Sequence, residues 1–163
     1  MNHPTVPRIL FVCMGNICRS PTAEAVFKHM AAQRQTKVFV DSAGTTAYHV
    51  GEAPDVRSRK TGESRGYSFE GQVARQVVKS DFRDFDYIYV MDSRNFADCM
   101  AMCPPDYQHK IALFLSLLSG DDRDVPDPYY GETGGFDEVL DLVEQASDIL
   151  VKKINTRINK NRT

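Results

Sequence analysis

The chain has 163 residues, 42% of them hydrophobic, and a formal net charge of -2, which fits one domain with a sizeable core and argues against a nucleic-acid binder, whose signature is a basic surplus. No apolar run is long enough to span a bilayer, and residues 1–7 lack a signal-peptide pattern. Four cysteines in such a chain read as thiols of a reducing compartment, so a cytoplasmic location is expected.

Taken in order, residues 8–12 form a short apolar run that predicts a buried strand. Residues 20–33 follow as a helix with Ala23, Val26, Phe27 and Met30 inward. Residues 38–40 read as a second strand ending at Asp41-Ser42, and residues 55–65 as a polar, weakly patterned helix. A helical turn at 79–82 leads into a third strand at 87–91, apolar enough to be central. A helix at 93–103 is stopped by Pro104-Pro105, and residues 110–113 make a fourth strand. A long last helix follows Gly135, with Phe136, Val139, Leu140, Val143, Ala146 and Leu150 on one face. The basic, polar stretch 155–163 reads as a frayed tail of a single domain covering residues 1–163. Strands alternating with helices predict an α/β fold: a four-stranded parallel sheet flanked by helices on both faces. Such sheets bind ligands beyond the carboxyl ends of their strands, where Cys13, Ser42 and Asp92 fall.

The run Cys13-Met14-Gly15-Asn16-Ile17-Cys18-Arg19-Ser20-Pro21 lies between the first strand and the first helix. Amide N–H groups at a helix start and the positive end of its dipole suit a dianionic phosphate, and the same field favours thiolate over thiol at Cys13. Arg19 returns to the rim of the loop, where its planar fork can grip two phosphate oxygens. Asn16 tolerates the left-handed backbone that an inward-folding loop needs. Ser20 suits an N-cap and Pro21 the first helical position, and the Ser20 hydroxyl can donate to a departing thiolate. These features point to a phosphate-ester hydrolase working through a phosphocysteine.

The same residues resemble the low-molecular-weight protein tyrosine phosphatases, whose signature is a C-x5-R-S loop near the N-terminus, with Gly-Asn inside and Cys before the Arg. A second family block appears as Asp127-Pro128-Tyr129-Tyr130-Gly131, and Asp41-Ser42-Ala43-Gly44 and Met91-Asp92 match as well. The resemblance spans residues 8–153. It implies that Asp127, bracketed by Pro126 and Pro128, first protonates the leaving aryl oxide and then deprotonates water. Asp121, Asp122 and Asp124 are rival carboxylates that fit a solvated turn. Ile17, Tyr129 and Tyr130 would wall the substrate cleft, with Tyr48 opposite, where the family often carries Trp. Ser42 would bond Asn16 and hold the loop in shape, with Asp92 in support. The family often adds a His to that network, and Gln72 stands there in this chain. The resemblance further implies a reversible Cys13–Cys18 disulfide, tyrosine-phosphorylated proteins as partners, inhibition by phosphate-like oxyanions, and neither cofactor nor metal. No nucleic acid and no membrane are expected, and the chain reads as a monomer with a dimer left open.

Relatives on the same fold prompt two rival enzyme readings, and a third reading is not enzymatic. Protein-arginine phosphatases resemble this family but tend to carry Thr where this loop has Ile17, whose bulk favours an aryl ester. Thiol-linked arsenate reductases add two redox cysteines, a part for Cys99 and Cys103. However, Phe96, Cys99, Met100 and Cys103 repeat at the spacing of a helix's core face. A non-catalytic phosphotyrosine-binding module is the third. A zinc site built from the four cysteines is disfavoured because Arg19 would repel the metal. The four histidines, His3, His29, His49 and His109, read as surface residues.

Overall fold

Four parallel strands form one sheet in the order β2-β1-β3-β4. The structure is a computed structural model and describes residues 6–119, 123–128 and 135–160. The strands are β1 (Arg8–Cys13), β2 (Phe39–Gly44), β3 (Tyr87–Val90) and β4 (Ile111–Leu113). Six α-helices are described: α1 (Arg19–Gln33), α2 (Val56–Ser64), α3 (Lys79–Asp84), α4 (Ser93–Met102), α5 (Ser116–Ser119) and α6 (Gly135–Lys160). A 3-10 helix, Pro105–Lys110, precedes β4. None of the described helices is long and apolar enough to cross a membrane.

Side chains alternate across β1, so one strand feeds two cores. Ile9, Phe11 and Cys13 pack with α1 and α6, whose Phe27, Val143 and Leu150 are fully buried. Leu10 and Val12 pack on the other face with Phe82 and Cys99 of α3 and α4. The chain leaves β1 toward β2 on one side and later returns to place β3 on the other. The end of β1 is therefore the point where the strand order reverses, and a crevice opens there.

Several boundaries differ from the sequence expectation. Strand β2 runs on to Gly44 because it pairs in register with β1 along its length, Cys13 facing Gly44. Helix α1 begins at Arg19 with Cys18 in the capping position and no side-chain cap, so Ser20 is not the N-cap. Its hydroxyl is engaged instead by Cys13 and Asn16. The expected frayed tail is helical through Lys160: Thr36 donates to Asn155 Oδ1 at 2.6 Å, and the Arg157 guanidinium lies over the Tyr87 ring. The 3-10 helix and α5 are too short to leave a period in the sequence.

Gly44 shows how tightly β2 backs the loop after β1. A Cβ there would stand 2.7 Å from the Met14 carbonyl oxygen and 3.2 Å from Asn16 N, both main-chain atoms. Gly44→Ala is expected to lower stability by about 1–3 kcal/mol, the usual range for overpacking. It should also cut turnover, because the loop must shift. Urea denaturation beside steady-state kinetics checks both, and a fully active, equally stable variant would contradict the close packing.

Candidate active site

The loop from Cys13 to Arg19 is shaped by where its carbonyls go. Those of Cys13 and Met14 accept from the amides of Thr45 and Thr46 at 2.9 and 3.0 Å. Those of Ile17 and Cys18 accept from Asp55 N at 2.8 Å and the Thr22 hydroxyl at 2.7 Å. In a trans peptide the following N–H points the opposite way. The amides of Met14, Gly15, Cys18 and Arg19 thus turn away from the groups that donate to those carbonyls. Asn16 N donates to Cys13 Sγ at 3.3 Å, and Asn16 has a φ of 58°, the left-handed region expected of it.

Asn16 is the hub that fixes this shape. Its amide nitrogen donates to Ser20 Oγ at 2.8 Å and Ser42 Oγ at 3.0 Å, and its oxygen accepts from Arg75 N at 3.0 Å. Ser20 Oγ in turn lies 3.0 Å from Cys13 Sγ. The Arg75 guanidinium holds Asp41 at 3.0 Å and Asp81 at 2.9 Å, which ties the segment carrying that amide to β2 and α3. Ser42 meets Asn16 as the sequence suggested, whereas Gln72 does not join the network. Its amide donates to Pro21 O at 3.0 Å, and its buried oxygen has no hydrogen-bond partner among the described residues.

Arg19 is 3% exposed and is held at three points. It donates to Asp92 Oδ2 at 2.7 Å and Val125 O at 3.1 Å, and it faces Asp127 Oδ2 at 3.5 Å. Burial opposes its charge, but Cys13, Asp92 and Asp127 outweigh that and hold its pKa above the ordinary arginine value. Asp92 also caps α4, accepting from Asn95 N at 2.7 Å, so one carboxylate fixes both a helix start and the guanidinium. Asp124, a rival to Asp127, is occupied by the backbone amide and hydroxyl of Ser93.

Cys13, Met14, Gly15, Ile17, Cys18, Arg19, His49 and Asp127 line one narrow cleft. His49 was missed by the sequence reading. Its ring sits on Gly15, where a Cβ would stand 2.9 Å from His49 Cδ2, and its Nδ1 pairs with Glu52 at 2.6 Å. The only trace in the sequence is the absence of a side chain at Gly15. Tyr48, expected as a wall, is 81% exposed on the loop that carries His49, and among the described residues it is His49 that contacts the floor of the cleft. Tyr129 and Tyr130, and likewise Asp121 and Asp122, lie outside the described residues. Burial first, and then Asp55, pushes the Cys18 thiol up to about 12. Cys99 is pushed up to about 12, chiefly by burial, and Cys103 upward for the same reason.

The match to known proteins extends over the whole described fold. The family model for low molecular weight phosphotyrosine protein phosphatase matches residues 8–161. A low molecular weight protein-tyrosine-phosphatase of Bacillus subtilis (strain 168) is 41% identical over 149 residues, 90% of this chain and 94% of that protein. The human low molecular weight phosphotyrosine protein phosphatase is 39% identical over 147 residues, 85% of this chain and 90% of that protein. A crystal structure of a protein tyrosine phosphatase from Entamoeba histolytica, with Hepes in the active site, superposes with a TM-score of 0.87 at 44% identity. The match covers 92% of this chain and 97% of that one.

Proposed function

The chain belongs to the low molecular weight phosphotyrosine protein phosphatase family, and from that membership we propose that it dephosphorylates phosphotyrosine in proteins through a phosphocysteine on Cys13. The loop amides and Arg19 bind the phosphate dianion and follow its charge as it spreads in the transition state. Cys13 Sγ attacks phosphorus, the P–O ester bond breaks, and Asp127 gives its proton to the leaving tyrosyl oxygen. Water then attacks phosphorus while the Asp127 carboxylate takes its proton. The P–S bond breaks, inorganic phosphate leaves, and the thiolate is restored. Ser20, 3.0 Å from the sulfur, donates to that thiolate in both steps. Nothing in this sequence of steps requires a metal or cofactor.

The observation that supports the reading most is the meeting at one cleft of two groups from the loop after β1 with a third from more than a hundred residues further along the chain. They are the Cys13 sulfur, the buried Arg19 guanidinium and the Asp127 carboxylate. The arsenate relay is opposed by the placement of Cys99, 0% exposed, and Cys103, 5% exposed, in the core under α4. At about 1.5 Å per helical residue they lie roughly 10 and 16 Å along the helix from Asp92. Cys18 is the neighbour that would condense with a sulfenic acid on Cys13, giving a disulfide and water.

The test is hydrolysis of aryl phosphates in excess chelator, with Asp127→Asn beside the wild type. Expected is metal-independent turnover, with the variant slower by about 10²–10⁴ on phenyl phosphate. The loss should be smaller on 4-nitrophenyl phosphate, whose leaving group needs less protonation. An equal loss on both esters would remove Asp127 from the acid's part, and an inert wild type would end the phosphatase proposal.

A further inference from the structure

The hydrogen-bonded hub at Asn16 does not stop at Ser42. Ser42 Oγ donates to Glu24 Oε1 at 2.7 Å, and Lys28 Nζ donates to Glu24 Oε2 at 2.5 Å. Glu24 is a carboxylate on α1 whose side chain is only 6% exposed, whereas that of Lys28, one turn on, is 52% exposed. A chain of contacts therefore runs from a surface ammonium to the sulfur through Glu24, Ser42, Asn16 and Ser20.

Donor and acceptor types give the chain a direction. The Asn16 amide nitrogen only donates, so Ser42 and Ser20 both receive from it. Ser42 must then send its own proton onward, and Glu24 receives it. Ser20 sends its proton toward Cys13 Sγ at 3.0 Å, the nearer of its two acceptors, Ala43 O standing at 3.4 Å. Glu24 thus keeps Ser42 in the orientation that receives Asn16. A carboxylate this buried is costly unless paired, and Lys28 is its paired cation. Gln72, at the place of the family's histidine, donates to Pro21 O and leaves this task undone.

We propose that Lys28 is a positioning residue for the reaction: by neutralising buried Glu24 it holds the Ser42–Asn16–Ser20 chain that directs a proton at Cys13. This rests on the phosphocysteine reading above. Lys28 touches neither the cleft nor the substrate, so its effect should fall on the reactivity of the sulfur rather than on phosphate binding.

The experiment compares wild type, Lys28→Met, Lys28→Arg and the double variant Glu24→Gln with Lys28→Met, each assayed well below its melting temperature. Three readouts are taken: kcat on an aryl phosphate, inhibition by inorganic phosphate, and the rate at which iodoacetamide alkylates Cys13, read by peptide mass. Lys28→Met should lower kcat and Cys13 alkylation together by about tenfold, with the inhibition constant for phosphate within about twofold of wild type. Lys28→Arg should stay within about twofold throughout. The double variant should recover most of the rate, because a neutral amide still accepts from Ser42 and no longer needs a cation. If Lys28→Met does not fold, Lys28→Gln takes its place under the same criteria. Wild-type kcat and alkylation in Lys28→Met would overturn the proposal, as would losses in Lys28→Arg as large as those in Lys28→Met. An inert wild type would instead overturn the phosphatase reading on which it stands.

Discussion

Cys13→Ser is expected to abolish turnover of aryl phosphates, a loss of at least about 10⁴-fold, while leaving the fold and the affinity for inorganic phosphate nearly intact. The physical reason lies in what the loop is built to accept. Asn16 N at 3.3 Å and Ser20 Oγ at 3.0 Å converge on the sulfur, an arrangement that suits an anion. A serine hydroxyl stays protonated in this field and must lose its proton as it attacks, yet the donors around it are not bases. The smaller side chain fits the same space, because Cys13 is 3% exposed at the end of a strand paired on both sides. Pre-steady-state kinetics with isothermal titration of phosphate separates the two effects. A variant retaining more than a tenth of wild-type turnover would show that the sulfur is not the nucleophile.

Arg19→Lys should cost about 10³-fold in kcat/KM, with weaker binding of inorganic phosphate. A lysine keeps the charge and so spares Asp92 an unpaired burial, which separates this variant from Arg19→Ala. What it loses is the fork. Arg19 uses one nitrogen on Asp92 Oδ2 and Val125 O and turns the other toward Asp127 and the cleft. A single ammonium cannot stay on Asp92 and reach the phosphate oxygens as well. The raised Arg19 pKa means its charge is constant through the assay range, so a bell-shaped pH profile must come from other groups. Retention of wild-type kcat/KM in Arg19→Lys would show that charge alone suffices.

Most of the architecture was legible in the sequence because it follows from local periodicity. Short apolar runs marked all four strands, and the spacing of Val139, Leu140, Val143, Ala146 and Leu150 marked α6. The loop from Cys13 to Arg19 was legible because its residue types are dictated by backbone demands that are themselves local, as at Asn16 with its φ of 58°. Errors gathered where a distant partner decides the outcome. Ser20 suited an N-cap by type, but its hydroxyl goes to Cys13 and Asn16. The helix persists past residue 155 because Thr36, far away in sequence, donates to Asn155.

The sequence by itself determined the α/β alternation, the identity of the thiol-and-arginine loop, and the family resemblance that the comparisons bear out. Each depends on residues close together along the chain or on motifs that keep their order. Only the tertiary structure decided that His49 lines the cleft, and that Arg75 holds Asn16 from behind. It also decided that Glu24 and Lys28, not Gln72, terminate the chain of hydrogen bonds to the sulfur. These choices turn on angles and separations of a few ångströms between segments remote in sequence, and hydrogen bonding lapses beyond about 3.5 Å. A sequence pattern names the residue types able to make such contacts, and the packing of α1 against the sheet selects which of them do.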